Sequence, residues 1–379
     1  MIYLDNAATS FPKPPEVIRA VIGAMEKIGA NPGRAGHRLS LAAGRIVWNC
    51  REELARMLDV PNPENIVFGS NCTDALNLAI YGSVSEGDHV ITTALEHNSV
   101  LRPINGMAHR GMITWTMLTP GGCGVVTAEQ VKGAITSKTR LVVVNQASNV
   151  VGLAQPVEDI AKVTRRAGVT LLVDAAQSLG VLPVSPEKAG VDMVAFPGHK
   201  GLLGPFGTGA LWIREGVKVR PLKEGGTGSS SESMLQPDEM PEALESGTLN
   251  MAGIAGLMVG TRYVRLRRQE IYEQERGLSD AMWEGLQNIH GVCTLTTRRP
   301  DVGVVSFNVG GFTSGEVANK LDVKYGIATR GGLHCAPAVH THLGTLERGA
   351  VRASVGHNTT RAEVDALLKA VCEIAREAS

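Results

Sequence analysis

The chain has no excess of charge of either sign, and aromatic residues are scarce. Its 37 Lys and Arg residues balance 37 Asp and Glu residues, and aromatic residues make up 4% of 379. A chain without a basic surplus has no net field that would attract nucleic acid or an anionic membrane. We therefore expect neither of them as a partner.

Closely spaced cysteines and long apolar runs are also missing. The six cysteines are dispersed, with no C-x-x-C pair. This argues against a disulfide scaffold or a zinc knuckle, predicts no metal site and fits a reducing compartment. The start of the chain lacks the profile of a signal peptide, and no apolar run approaches the roughly 20 residues that span a bilayer. The sequence thus predicts a soluble, cytoplasmic protein.

Glycine is abundant, with 44 residues, and short apolar runs alternate with amphipathic segments. This alternation predicts an α/β fold with a mostly parallel sheet covered by helices on both faces. Strands are predicted at 66–68, 89–93, 141–145 and 170–173, and helices at 43–58 and 157–167. After a Gly/Ser-rich stretch at 224–233, a helical run at about 255–287 leads to a second α+β region with strands near 303–309 and 351–354. We predict a large domain over 14–255 and a small domain formed by 1–13 and 256–379.

Polar residues follow the predicted strands, where ligands bind in open α/β sheets. Asp174 ends an apolar strand, where an unpaired carboxylate is costly. Asp174 could have a structural role, in an ion pair or as a helix cap. Alternatively, its carboxylate could pair with the ring nitrogen of pyridoxal phosphate. Lys200 lies in a glycine-rich turn. One interpretation is an exposed lysine or one that binds a phosphate. The other is a lysine whose positive charge is suppressed, so that its amine can form a Schiff base.

Further polar groups belong to the same rim. Thr73, in the segment 69–77, either caps a helix or helps to bind a phosphate at the helix N-terminus. His97 follows another strand, although an isolated His is more often structural, and Asn149 follows the next. The set is far more specific than any one member. No G-x-G-x-x-G opens the large domain, which disfavours a nicotinamide dehydrogenase.

Several motifs occur in a fixed order: VDAAQS at 173–178, GHK at 198–200, RGGLHCAP at 330–337 and VRAS at 351–354. Together they resemble class V aminotransferase-type enzymes of the cysteine desulfurase and selenocysteine lyase group. The resemblance runs from YLDNAAT at 3–9 to VRASVGHNTT at 351–360, almost the whole chain. It implies the pyridoxal-phosphate-dependent transferase fold of type I, with a smaller α+β C-terminal domain, and pyridoxal 5′-phosphate as cofactor.

The resemblance also implies residue roles. Lys200 would be the Schiff-base lysine, which also moves protons at the substrate α-carbon, and His97 would stack on the cofactor ring with an acid/base role. Asp174 would pair with the pyridinium nitrogen, and Gln177 would approach the ring hydroxyl. The other cofactor-binding residues that it implies are Thr73, Cys72, His199, Asn149 and Thr248.

Substrate and subunit contacts are implied in the same way. Arg352 and Asn149 would bind the substrate carboxylate with help from Arg330, and the planar fork of an Arg suits that task. Thr248 would reach the phosphate of a neighbouring subunit, which implies a homodimer.

Cys335 matches the nucleophilic cysteine of the family. The resemblance implies an L-cysteine desulfurase in which the Cys335 thiolate attacks the substrate sulfur. Alanine is released, and a persulfide remains on Cys335 for a sulfur-acceptor protein. Cationic neighbours such as Arg330 or His334 would favour the thiolate. A single Cys is more often a small buried hydrophobe. The polar, glycine-rich residues that flank Cys335 favour the nucleophile instead. We interpret the other five cysteines as structural.

One position departs from the better-known branch of the group, in which a serine two residues before the His of GHK binds the phosphate. Here Pro197 has neither a hydroxyl nor an N–H, so we expect other donors, such as the backbone at 69–73. A selenocysteine lyase or another β-elimination enzyme acting on L-selenocysteine is a close alternative. A non-catalytic regulatory or scaffold protein is the alternative of a different class.

Overall fold

The structure is a computed structural model that describes residues 1–32, 36–122, 124–228 and 232–377. Cys123 and part of the predicted Gly/Ser-rich stretch lie outside these residues. The strands are β1 (Ile2–Tyr3), β2 (Ile66–Gly69), β3 (His89–Thr93), β4 (Thr114–Leu118), β5 (Thr139–Asn145), β6 (Thr170–Asp174), β7 (Met193–Pro197), β8 (Gly209–Ile213), β9 (Val292–Thr294), β10 (Val304–Val309), β11 (Ile327–Ala328), β12 (Arg330–Gly332) and β13 (Ala350–Ser354). The helices are α1 (Pro15–Lys27), α2 (Arg38–Leu58), α3 (Cys72–Ser83), α4 (Asn98–His109), α5 (Ala128–Ala134), α6 (Val157–Arg166), α7 (Pro186–Ala189), α8 (Met251–Gln287), α9 (Ser314–Tyr325), α10 (Pro337–His342) and α11 (Arg361–Glu377).

Seven strands form the large sheet in the order β2-β8-β7-β6-β5-β3-β4. Neighbours from β7 to β4 pair in parallel, and β8 is antiparallel to both β7 and β2. The strand β2 therefore points the same way as β7. As a result, the carboxyl ends of β2, β3, β5, β6 and β7 lie along one edge, and the predicted mostly parallel sheet is confirmed.

The central strands of this sheet are apolar on both faces. Along β5, Leu141 and Val143 pack into the core on one face, and Val142 and Val144 pack into the core on the other. Burying each such side chain contributes about 1.5–3 kcal/mol. A strand buried on both faces shows a continuous apolar run rather than alternation, which is why these strands could be predicted closely.

Helix α2 begins five residues before the predicted start at 43. The imidazole Nδ1 of His37 accepts a hydrogen bond from the Ser40 N–H at 3.2 Å and so caps the helix. The first turn exposes Leu39 and Leu41 to solvent, so hydrophobic periodicity does not mark the helix start. The cap, rather than the apolar pattern, sets this boundary.

The C-terminal third forms a second layer. Strands β12-β13-β10-β9 make an antiparallel sheet, with helices α9 and α11 packed on its apolar face. Strand β1 pairs in parallel with β11 of this region. The proposed domain boundary at 255/256 falls inside α8, and the division remains a prediction. In the part of the chain that the structure describes, no helix is long and apolar enough to cross a membrane.

Candidate active site

The shared edge of the large sheet opens into a cavity of about 220 Å³. Each strand brings its following residues there because the carboxyl ends of parallel strands meet at one edge. Predicted site residues that line it are Cys72, Thr73, His97, Asn149, Asp174, Gln177, His199, Lys200, Arg330 and Arg352. Cys335 and Thr248 do not line it.

Lys200 and Asp174 both line this cavity, and burial shifts the pKa of each. Burial lowers the pKa of Lys200, and the Asp174 carboxylate opposes that shift. Asp174 is buried at the end of β6, and its Oδ1 accepts hydrogen bonds from the Ala176 N–H at 2.8 Å and from the Cys72 thiol at 3.6 Å. Burial raises the pKa of Asp174, whereas the Ala176 bond and the Lys200 charge lower it. The site therefore contains a buried carboxyl group with a raised pKa and a buried amine with a lowered pKa.

A group of polar atoms lines one end of the cavity. Asn71 caps α3 by accepting the Asp74 N–H at 2.9 Å, and the first N–H groups of a helix are suited to binding an anion. The Thr73 and Ser99 hydroxyls are 2.8 Å apart. The buried Nδ1 of His199 has no partner among the described residues, and burial lowers the pKa of His199 to about 4. Pro197, also in the lining, contributes no donor.

The His97 imidazole caps helix α4. Its Nδ1 accepts the Ser99 N–H at 3.1 Å, and the Ser99 hydroxyl lies 2.9 Å from the same nitrogen. Burial, with the nearby Lys200 charge, lowers the pKa of His97 to about 4. The ring is thus neutral at pH 7, with Nδ1 as acceptor and the proton on Nε2. The sequence analysis did not identify Ser99 as a site residue. Its position two residues after His97, at the start of a helix, was the signal that could have indicated it.

Arg352 lies on β13 with its side chain 2% exposed. One terminal nitrogen donates to Asp5 Oδ1 at 2.9 Å and the other to the Asn149 carbonyl at 3.1 Å. Its buried Nε has no partner among the described residues. Burial lowers the pKa of Arg352, and Asp5 raises it. Arg330 is its register partner on β12. The sequence analysis did not identify Asp5, which was visible only as part of YLDNAAT.

Cys335 is exposed beside the cavity, on a loop with an uncommon backbone conformation. His334 and Cys335 both have left-handed backbone angles, with φ of 52° and 57°, which non-glycine residues rarely adopt. The Asn98 N–H donates to the Cys335 carbonyl at 2.7 Å, and the Asn149 side chain donates to the His334 carbonyl at 2.8 Å. These two bonds hold the loop against α4 and the sheet edge.

The predicted role of His334 as a cationic neighbour is wrong. Its ring is buried, with Nε2 donating to the Ala350 carbonyl at 2.9 Å. Burial, followed by the positive charge of Arg352, lowers the pKa of His334 to about 3. The imidazole is therefore neutral at pH 7, whereas Arg330 and Arg352 are the cations that act on it.

The other predicted residues have simple placements. The Gln177 amide donates to the Ala7 carbonyl at 3.0 Å, which leaves its oxygen available. Thr248 is exposed and lines a separate cavity of about 380 Å³, which Thr73 also lines. In the described ranges no three His, Cys, Asp or Glu residues are grouped as metal ligands would be.

Comparisons with known proteins give a consistent result. The sequence model of the family "Aminotransferase class-V" matches residues 2–367. A probable cysteine desulfurase of Methanothermobacter thermautotrophicus is 34% identical over 381 residues, covering 99% of this chain and 94% of that protein. A probable cysteine desulfurase of Pyrococcus abyssi is 35% identical over 391 residues, covering 99% of this chain and 94% of that protein. The apo structure of a cysteine desulfurase from Thermococcus onnurineus NA1 superposes with a TM-score of 0.92 at 34% identity, covering 99% of this chain and 95% of that one.

Proposed function

Because the chain belongs to the class-V aminotransferase family, we propose that it is a pyridoxal-phosphate-dependent L-cysteine desulfurase. One observation carries the proposal: Lys200, Asp174 and Arg352 line one cavity, and Cys335 is exposed beside it. Proteins named as cysteine desulfurases that match nearly the whole chain support the same activity.

The residues of the cavity fit pyridoxal 5′-phosphate. Asp174 is a buried carboxylate suited to a protonated ring nitrogen, and Lys200 would hold the cofactor covalently through its amine. The unpartnered Nδ1 of His199, the Thr73 and Ser99 hydroxyls and the N-terminus of α3 would take the phosphate. These donors would serve in place of the hydroxyl that Pro197 lacks. When bound, the cofactor supplies a ring that withdraws electrons from the substrate α-carbon.

The protein side chains then have separate tasks. Arg352, with Asn149 and Arg330 near it, would bind the substrate carboxylate and orient the α-carbon toward Lys200. The amine of Lys200 would take the α-proton, a role that suits a lysine whose pKa is lowered by burial. The neutral His97 ring would lie against the cofactor ring and offer its Nε2–H.

The sulfur step is assigned to Cys335. Its thiolate would attack the sulfur of L-cysteine, so that an S–S bond forms while the carbon–sulfur bond of the substrate breaks. The three-carbon remainder is protonated and leaves as alanine. The enzyme keeps a persulfide, and the equation balances as L-cysteine plus thiol giving alanine plus persulfide. Because the thiol is exposed, an acceptor protein could reach the persulfide.

The assembly is part of the proposal. We propose a cytoplasmic homodimer in which the exposed Thr248 serves the cofactor phosphate of the other subunit, as the resemblance implies. Within one chain Thr248 and Thr73 line the same cavity, so the homodimer rests on the resemblance alone. Sedimentation equilibrium that gave the mass of a single chain would contradict it.

The proposed function is tested by measuring alanine formed from L-cysteine and from L-selenocysteine. For L-cysteine we expect Cys335→Ala to lower turnover by about 100-fold or more because the nucleophile is lost. A selenol leaves more readily, so we expect turnover of L-selenocysteine to fall much less. The matched control is Cys293→Ala, which removes another exposed thiol. Full turnover of L-cysteine by Cys335→Ala would rule out the persulfide step.

A further inference from the structure

Strand β2 lies at one edge of the large sheet, so β8 covers only one of its two sides. The outer side of an edge strand has backbone N–H and C=O groups that no neighbouring strand bonds. In β2, side chains bond two groups of the backbone. A terminal nitrogen of Arg51, on α2, donates to the Ile66 carbonyl, and the Glu245 carboxylate accepts the Phe68 N–H. These side chains therefore take the place of a neighbouring strand along this part of β2.

Arg51 and Glu245 also bind each other, and we refer to the pair as the edge clamp. The second terminal nitrogen of Arg51 lies 2.6 Å from Glu245 Oε2, and the two side chains are 5% and 6% exposed. The Arg51 guanidinium also lies over the Phe68 ring, 4.5 Å from its centre. Burial raises the pKa of Glu245, whereas the charge and the hydrogen bond of Arg51 lower it. A buried charge is costly without its partner, so the two residues act as one unit.

The edge clamp connects two chain segments that line the cavity of about 380 Å³. The first is β2, which leads through residues 69–72 to Thr73 in the first turn of α3. The second is the segment in which Glu245 precedes Thr248 by three residues. Thr73 lines the active-site cavity as well. Through the bond between Phe68 and Glu245, the edge clamp holds these two segments together.

We propose that Arg51 and Glu245 are positioning residues for the phosphate end of the cofactor. The proposal rests on the proposed function, in which the N-terminus of α3, Thr73 and Thr248 bind cofactor phosphate. It goes further in naming the ion pair that holds these donors in place. Neither Arg51 nor Glu245 lines the active-site cavity, so the pair acts through β2 and the Thr248 segment rather than on the cofactor.

The proposed ring end of the cofactor site is built on other strands. Asp174 ends β6 and Lys200 follows β7, and β8 separates both strands from β2 in the sheet. Loosening β2 should therefore displace the phosphate donors while Asp174 and Lys200 stay in place. Pyridoxal makes this difference measurable, because it has the ring and aldehyde of pyridoxal 5′-phosphate but no phosphate. Loss of one hydrogen bond to a charged phosphate weakens binding by about tenfold.

The test measures the dissociation constants of pyridoxal 5′-phosphate and of pyridoxal for the full-length chain freed of cofactor. The absorbance change on condensation of each aldehyde with the protein reports binding. We expect Glu245→Gln, which removes the charge but keeps one oxygen as an acceptor, to weaken pyridoxal 5′-phosphate about tenfold more than pyridoxal. Glu53→Gln is the matched control, because Glu53 is a buried carboxylate on α2 that pairs with Arg56 and Arg265. It should leave the ratio of the two constants unchanged, whatever its effect on stability.

An unchanged ratio in a folded Glu245→Gln protein overturns the proposal, and so does an equal shift of the ratio in Glu53→Gln. If Glu245→Gln does not fold, Arg51→Lys decides the question. This variant keeps the positive charge, but one ammonium group replaces the planar fork that bonds both Ile66 and Glu245. It should shift the ratio in the same direction, and equal weakening of the two compounds overturns the proposal. Binding is measured without turnover, so a shifted ratio in a protein that forms no alanine from L-cysteine would contradict the proposed activity alone.

Discussion

At the scale of single residues, burial decides the charges on which the proposed chemistry depends. Lys200, His97 and His199 all have lowered pKa values, each with burial as the largest cause. The two histidines are thus neutral at pH 7, with pKa values of about 4, and burial shifts the pKa of Lys200 in the same direction. In the proposed function, proton transfer is assigned to Lys200 and carboxylate binding to the arginines.

Lys200 itself gives the most direct residue-scale prediction. Borohydride reduction of the holoenzyme should fix the cofactor on the peptide that contains Lys200. Lys200→Arg should show no fixed cofactor and about 1,000-fold lower turnover, since a guanidinium neither condenses with the aldehyde nor takes the α-proton. Lys188→Arg, at an exposed ion pair with Asp59, is the control. Fixed cofactor on another lysine in the Lys200→Arg protein would disprove the assignment.

At the scale of elements, helix α8 packs tightly against the turn that carries Lys200. A Cβ added at Gly260 would lie 2.5 Å from the Leu202 carbonyl oxygen. The loop and helix can approach this closely only because Gly260 has no side chain. The same helix contains Gly277, where a Cβ would meet nothing within 4 Å.

This contrast predicts opposite effects of one substitution within one helix. Gly260→Ala should lower the free energy of unfolding by about 1–3 kcal/mol because the helix must move away from Leu202. Gly277→Ala should raise it by about 0.5–1 kcal/mol because alanine favours the helix and finds open space. Urea denaturation measures both, and equal effects of the two substitutions would contradict this account of the packing.

The elements also show what could be predicted from the sequence. Strands β3, β5 and β6 could be placed within two residues because buried parallel strands carry continuous apolar runs. The start of α2 could not, since His37 sets it with a side-chain cap. Asp5 and Arg352 are 347 positions apart, and no local pattern reports that contact. His334 is neutral because the folded chain buries its ring. Burial of this kind cannot be seen in the short motif RGGLHCAP, from which a cationic His334 was predicted.

At the scale of the whole molecule, a buried carboxyl on α8 links stability to pH. Glu275 is buried, and no donor from the described residues bonds to its carboxyl group. It lines a small cavity together with Lys200, Val302 and Val304. Burial raises the pKa of Glu275 from 4.5 to about 8. The folded protein therefore keeps a proton that the unfolded chain releases between these pH values.

Stability should accordingly fall as pH rises from about 4.5 through about 8. Glu275→Gln cannot ionise, so it should exceed the wild type by about 2–4 kcal/mol at pH 8.5 and by less than about 1 kcal/mol at pH 5. The exposed Glu270→Gln on the same helix is the control. Parallel stability–pH curves for the wild type and Glu275→Gln would show that the carboxyl is ionised in the folded protein.

The first residues of the chain connect distant parts of the molecule. Strand β1 pairs with β11, Asp5 holds Arg352, and the Ser10 hydroxyl donates to the Lys200 carbonyl at 3.0 Å. During synthesis, the N-terminal segment cannot take this place until about residue 354 has left the ribosome. The sheet edge with Asp174 and Lys200 is translated earlier. A nascent chain can therefore form the sheet edge with Asp174 and Lys200 before Asp5 and Arg352 meet, so the cavity is complete only when translation is nearly finished.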